Sequence, residues 1–127
     1  MVYDLYTLLE LRQLTHLYLN DLNFADPNSS TFVHQQVLDL VNQNPGVTHL
    51  GLNGIQIEDP YSLFNSLSSD LVSLELSNTG LDILPVPVDQ YEQLEILDLS
   101  YNPSLTFDFS TVTLFSQAET LKQLNLS

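Results

Sequence analysis

Cysteine and tryptophan are absent from this sequence, and Arg12 and Lys122 are its only basic residues. Without cysteine there is neither a disulfide framework nor a thiolate metal site, so cysteine usage gives no support to an oxidising compartment. Two basic residues against sixteen acidic ones leave a net charge of -14, which repels phosphate backbones and anionic lipid surfaces alike. Neither nucleic acid nor a membrane is expected as a partner. No apolar run approaches the roughly 20 residues that a spanning helix needs. Met1 to Leu11 also lacks the basic segment and the sustained apolar stretch of a secretory signal. A cytoplasmic location is the resulting expectation, in which case the glycosylation tripeptides Asn28-Ser29-Ser30 and Asn125-Leu126-Ser127 carry no meaning.

Leucine is what the chain has in quantity, at 27 of its 127 positions, and its spacing is periodic. One apolar pattern occurs five times, at Leu14, Leu17 and Leu19; Val47, Leu50 and Leu52; Leu71, Leu74 and Leu76; Leu94, Leu97 and Leu99; and Leu121, Leu124 and Leu126. The central leucines are separated by 33, 24, 23 and 27 residues, each the length of one strand with a return segment. Three residues before each copy stand Leu11, Asn44, Ser68, Tyr91 and Ala118, of which only two are strongly apolar.

Leucines that flank a single residue have period two, so they point to one side of a strand and the residue between them to the other. A unit this short cannot close a core of its own. Successive strands must therefore lie side by side in parallel, with the return segments behind them. The chain resembles the leucine-rich-repeat family, most closely over Leu94 to Leu105 (LEILDLSYNPSL) and next over Leu71 to Leu81 (LVSLELSNTGL), and the resemblance covers essentially the whole chain. It implies an α/β solenoid with a curved parallel sheet of about five strands, and helical and extended returns on its convex side. The expectation is one domain, 1–127, whose last repeat is incomplete. The family's turn asparagine is matched by Asn102 and approximated by Thr79, whereas Leu22 and Ile55 occupy the equivalent earlier positions. A competing cue lies in His49 to Ile57, an alternating apolar stretch around Asn53-Gly54 that reads as a hairpin, but the register of five copies outweighs one local turn.

The first return predicts a helix over Thr31 to Asn42, from the spacing of Phe32, Val33, Val37, Leu40 and Val41, and it stops at Asn44-Pro45-Gly46. A second, shorter helix is signalled by Asp59 as cap and Pro60 in the first turn, followed by Leu63, Phe64 and Leu67. Leu84 to Val88 contains two prolines and should run extended, with a single turn over Asp89 to Gln93, while Ser110 to Ala118 is read as helical. Tyr3 to Glu10 suits a helix capping the first end of the core.

In this register the residues between and after the strand leucines form rows on the concave face. The first holds His16, His49, Ser73, Ile96 and Gln123, and the second Tyr18, Gly51, Glu75, Asp98 and Asn125. A third holds Asn20, Asn53, Ser77, Ser100 and Ser127, and a fourth Asp21, Gly54, Asn78 and Tyr101. Row neighbours stand about one strand spacing apart. His16 and His49 read as two solvated imidazoles, because two without a third ligand make a poor zinc site. Glu75 and Asp98, about 5 Å apart, should repel modestly unless a basic group neutralises them, and an open sheet offers no water-excluding pocket for paired-carboxylate hydrolysis. Tyr18 and Tyr101 are the aromatic contact candidates. There is no phosphate loop, Ser-His-Asp order or histidine-glutamate metal motif.

The chain is thus expected to be no enzyme, to hold no cofactor or metal, and to bind a basic or neutral protein on the concave face. The alternative is a fragment of a longer repeat protein whose recognition or catalytic part lies beyond Ser127. A final strand with no return segment after it also suggests a homodimer through the C-terminal edge.

Overall fold

The computed structural model describes residues 12–20, 30–84, 91–106 and 120–127, with side chains in the second stretch from residue 35 onward. The capping helix over Tyr3 to Glu10, Leu11, Asp21, Leu22, the extended run from Pro85, the helix over Ser110 to Ala118 and the first two apolar anchors of the long helix lie outside the described residues.

Five three-residue strands, β1 (His16–Tyr18), β2 (His49–Gly51), β3 (Ser73–Glu75), β4 (Ile96–Asp98) and β5 (Gln123–Asn125), form one parallel sheet in sequence order. Leu17, Leu50, Leu74, Leu97 and Leu124 are aligned across it, as the repeat spacing requires. The same bonds recur at every step. Consecutive N–H groups entering each strand donate to one carbonyl of the strand before, as Thr48 and His49 do to Thr15 and Val72 and Ser73 do to Thr48, at 2.7 to 3.1 Å. Just beyond the strand, the N–H of Leu19, Leu52, Leu76 and Leu99 donates to Gly51, Glu75, Asp98 and Asn125 at 2.8 to 2.9 Å. Three residues make a negligible sheet alone; stacking five copies satisfies their backbone and joins their leucines into one core.

The leucine at the centre of each of β1 through β4 and the leucine just beyond it, from Leu17 and Leu19 to Leu97 and Leu99, are buried, together with Ile55, Ile57, Leu71, Leu81 and Leu94. Two helices close the core from behind. The long helix α1 (Ser30–Gln43) buries Val37, Leu38, Leu40 and Val41, and the short α2 (Pro60–Ser66) buries Leu63 and Phe64. Asp59 caps α2, with Oδ1 accepting from the Ser62 N–H at 3.3 Å and Oδ2 from the Ser62 hydroxyl at 2.6 Å. Such a cap contributes about 1 kcal/mol.

The position three residues before a repeat is a turn at the three places where it is described, Asn44, Ser68 and Tyr91. Val47, Leu71 and Leu94 donate their N–H back to the carbonyls of Asn44, Ser68 and Tyr91 at 3.0 to 3.2 Å. That explains why it need not be apolar: the side chain must satisfy polar groups. Asn44 is buried, donates from Nδ2 to the Leu40 carbonyl at the end of α1, and accepts from the Leu14 N–H at 3.0 Å, so it ties the helix to the entry of β1. Tyr91 is buried too, and its hydroxyl donates to the Phe64 carbonyl of α2 at 3.1 Å.

The Asn53-Gly54 cue does not make a hairpin. Gly54 has φ 81°, and the chain turns away from the sheet toward α2. A left-handed residue serves a two-residue hairpin and this turn equally, which is why the local signal could not tell them apart.

Candidate functional site

Four expected rows are laid out on the sheet face opposite the helices, and strand pairing sets the first two in register. What their side chains do there differs from row to row.

In the first row the rings of His16 and His49 stack, with centroids 4.0 Å apart and planes within 9°. Each follows a threonine, and each Nδ1 lies in hydrogen-bond reach of that hydroxyl, 3.0 Å for Thr15 and 2.9 Å for Thr48. They are a built pair, oriented identically, and not two independently solvated side chains. Ser73, next in the row, is a correction to the expected contact surface: it is buried and offers a partner nothing. Ile96 is half-buried and Gln123 exposed.

Gly51 controls the second row. A Cβ there would stand 2.5 Å from Tyr18 Cδ1, 3.0 Å from Asn20 Oδ1 and 3.2 Å from Glu75 Oε2. The missing side chain lets the Tyr18 ring lie across β2 from one side and the Glu75 carboxylate reach over it from the other. Tyr18 keeps 49% of its surface exposed. Asp98 pairs with Glu75 in register but is engaged differently, for its Oδ1 accepts from the Ser100 N–H at 3.0 Å and from the Ser100 hydroxyl at 2.6 Å. The two acids are thus drawn to different neighbours, and side-by-side repulsion describes them poorly. Asn125 repeats the Asp98 arrangement on β5, accepting from the N–H and hydroxyl of Ser127 at 3.2 and 2.9 Å.

The third row is a structural ladder. Asn20 Oδ1 accepts from the Asn53 N–H at 2.9 Å, Asn53 Oδ1 from the Ser77 N–H at 2.7 Å, and the Ser77 and Ser100 hydroxyl oxygens lie 3.0 Å apart, with Ser77 left as the donor because Ser100 donates to Asp98. Asn20, Asn53 and Ser77 use their oxygens to hold neighbouring repeats together, and Ser100 is buried and is corrected from contact residue to scaffold, while Asn20 and Ser127 are exposed and Asn53 and Ser77 half-buried. In the fourth row Asp21 lies outside the described residues, while Asn78 and Tyr101 are exposed. Both have left-handed backbones, with φ 55° and 57°.

Asn102, which matches the family asparagine, is buried, and its side chain bonds backbone groups of two repeats. Thr79 performs part of that work one repeat earlier, donating its hydroxyl to the Leu76 carbonyl at 2.9 Å. At the third copy of the position Ile55 is simply buried, with its N–H on Leu52.

Neither basic residue stands in the four rows: Lys122 pairs with Glu95 at 2.6 Å and Arg12 donates to Gln43. Among the described residues no group of three or more His, Asp or Glu is placed to hold a metal ion, and no helix is long and apolar enough to cross a membrane. Beside the fourth row a groove of about 900 Å³ runs along the ends of β4 and β5, walled by Tyr101, Pro103, Leu105 and Leu126. The stacked histidines, the Tyr18 overlap and this groove were not legible in the sequence beyond the repeated Thr-His pair and the lone glycine between Tyr18 and Glu75.

No protein-family profile matches the chain. Over 72 residues, 56% of its length, it is 39% identical to the receptor-like proteins 9DC1, 9DC2 and 9DC3 of Solanum pimpinellifolium. The match spans 8% of the length of those relatives.

Proposed function

Since this chain is a leucine-rich-repeat protein, we propose that it is a protein-binding module whose concave sheet face receives a partner of neutral or basic surface, with no catalytic step. The observation that carries the reading is that Tyr18, the His16–His49 stack, Glu75, Asp98 and Tyr101 are presented on one hydrogen-bonded sheet whose backbone does not have to be ordered on binding. A surface already held in place loses little conformational entropy when it docks, and tyrosines at such a surface supply much of the binding energy. The net charge of -14, with both basic residues off the rows, favours a neutral or cationic partner. The receptor-like character of the relatives supports recognition as the role, and a whole receptor's activity would extend the proposal well past the stretch that matches.

Peptides selected from a random display library on the folded chain test this. Binders should weaken when Tyr18→Ala or Asp98→Ala is introduced and should tolerate Tyr61→Ala on α2, a tyrosine of similar exposure at 54%. Binders that depend on Tyr61 and ignore the sheet face would overturn the assignment. On β5 the side chain of Leu124 is exposed, and the proposal includes a homodimer in which two copies pair along that edge strand.

A further inference from the structure

The residue three positions after the end of β2, β3 and β4 turns the chain out of the sheet with a positive φ: Gly54 at 81°, Asn78 at 55° and Tyr101 at 57°. Glycine adopts this conformation freely and asparagine tolerates it, but a bulky aromatic residue there is strained. The strain supplies no packing, because the Tyr101 side chain is 71% exposed. Its N–H donates to the Ser127 carbonyl at 3.3 Å, a bond any residue but proline makes, so nothing in the turn itself calls for tyrosine. Strain held at an exposed side chain, where the neighbouring repeats use residues that avoid it, points to a use for the ring.

The ring forms one wall of the groove of about 900 Å³ whose other apolar surfaces come from Pro103, Leu105 and Leu126, with Asn78 and Ser127 at its rim. We infer that Tyr101 is the anchor of the recognition surface, and that the groove beside it takes an aliphatic side chain of a partner peptide with a lysine or arginine next to it. The aliphatic group is covered by Tyr101 and Leu126. The adjoining cation is favoured by a net charge of -14 and by a face that carries no basic residue in its rows, and a cation over the tyrosine ring adds to the attraction. The inference rests on the proposal that this sheet face binds protein, and it adds both the residue and the chemistry of what docks there.

Three variants and three probes separate the two claims. The probes are acetylated, amidated hexapeptides: Gly-Leu-Lys-Leu-Lys-Gly, its glutamate counterpart with Glu for Lys, and a Ser-for-Leu version that keeps the lysines. Amide shifts are followed by NMR on the folded chain. The Leu-Lys peptide should move Asn78, Tyr101 and Leu126, and the other two should bind weakly or not at all. Tyr101→Asn and Tyr101→Gly should weaken that binding about tenfold or more, while raising the thermal midpoint by about 3 °C because the turn is relieved. Tyr101→Phe should bind within about threefold of the wild type and leave the midpoint unchanged, since it keeps both ring and strain.

A midpoint that falls in Tyr101→Asn would show the ring to be structural and overturn the inference. So would Leu-Lys binding that Tyr101→Asn leaves intact: if the shifts then centre on Tyr18 and Glu75, the sheet-face reading survives without this anchor. Shifts nowhere on the sheet face would bring down both.

Discussion

Replacing Asn102 with alanine removes the bond set that joins the third and fourth repeats. The side-chain Nδ2 donates to the carbonyls of Leu76, Leu99 and Ser100 at 2.9, 3.0 and 3.2 Å. Oδ1 accepts from the Thr79 N–H at 2.9 Å and from the Leu81 N–H at 3.2 Å. Alanine supplies none of this. The Leu76 carbonyl keeps the Thr79 hydroxyl at 2.9 Å, so the heavier loss falls on the N–H groups of Thr79 and Leu81, both fully buried residues left facing a methyl group. Each buried donor stripped of its acceptor costs about 1–3 kcal/mol, which puts Asn102→Ala at about 2–6 kcal/mol against a total stability of about 5–15 kcal/mol for a domain of this kind. Asn102→Thr should cost less, because Thr79 shows that a hydroxyl at this turn reaches the carbonyl three residues back. Guanidinium unfolding followed by circular dichroism reads the change as a fall in midpoint at constant slope, with exposed Ser104→Ala as the control. An Asn102→Ala midpoint no lower than the control's would refute the bond accounting.

Three further outcomes follow from the same geometry. Leu97, buried at the centre of the leucine column, should cost about 2–5 kcal/mol when replaced by alanine, and a midpoint shift matching a surface control would mean that the register is wrong. Glu75→Gln should change stability by no more than about 0.5 kcal/mol, because the carboxylate reaches over Gly51 while Asp98 is held by Ser100; a clear loss in denaturant would reveal a structural partner for Glu75. If two copies meet through β5, sedimentation at micromolar concentration should show a dimer that Leu124→Asp dissociates, and a monomer indifferent to that change would end that proposal.

The sequence by itself determined the repeat, the register and the core. Leucines at period two can bury only one side of a strand, and five copies with the same internal spacing can bury it only by stacking in parallel, so the alignment of Leu17, Leu50, Leu74, Leu97 and Leu124 needed no coordinates. Both described helices were legible for a related reason, since caps and apolar spacing act within a few residues: Asp59 and Pro60 open α2 where they stand in the chain, and Asn44-Pro45-Gly46 follows α1.

Only the tertiary structure decided which row side chains are engaged with neighbouring repeats. Asn20 meets the backbone of Asn53 33 residues away, Asn53 that of Ser77 24 residues away, and Ser100 the hydroxyl of Ser77 across 23. Period-two reasoning places all of them on the face, but it does not say where a side-chain oxygen turns once it gets there. The same limit hid the His16–His49 stack, the overlap of Tyr18 on Gly51 and the backbone strain at Tyr101. Spacing along the chain sets which side of a strand a residue occupies, whereas rotamers and bonds are set by neighbours that come together only when the repeats have stacked.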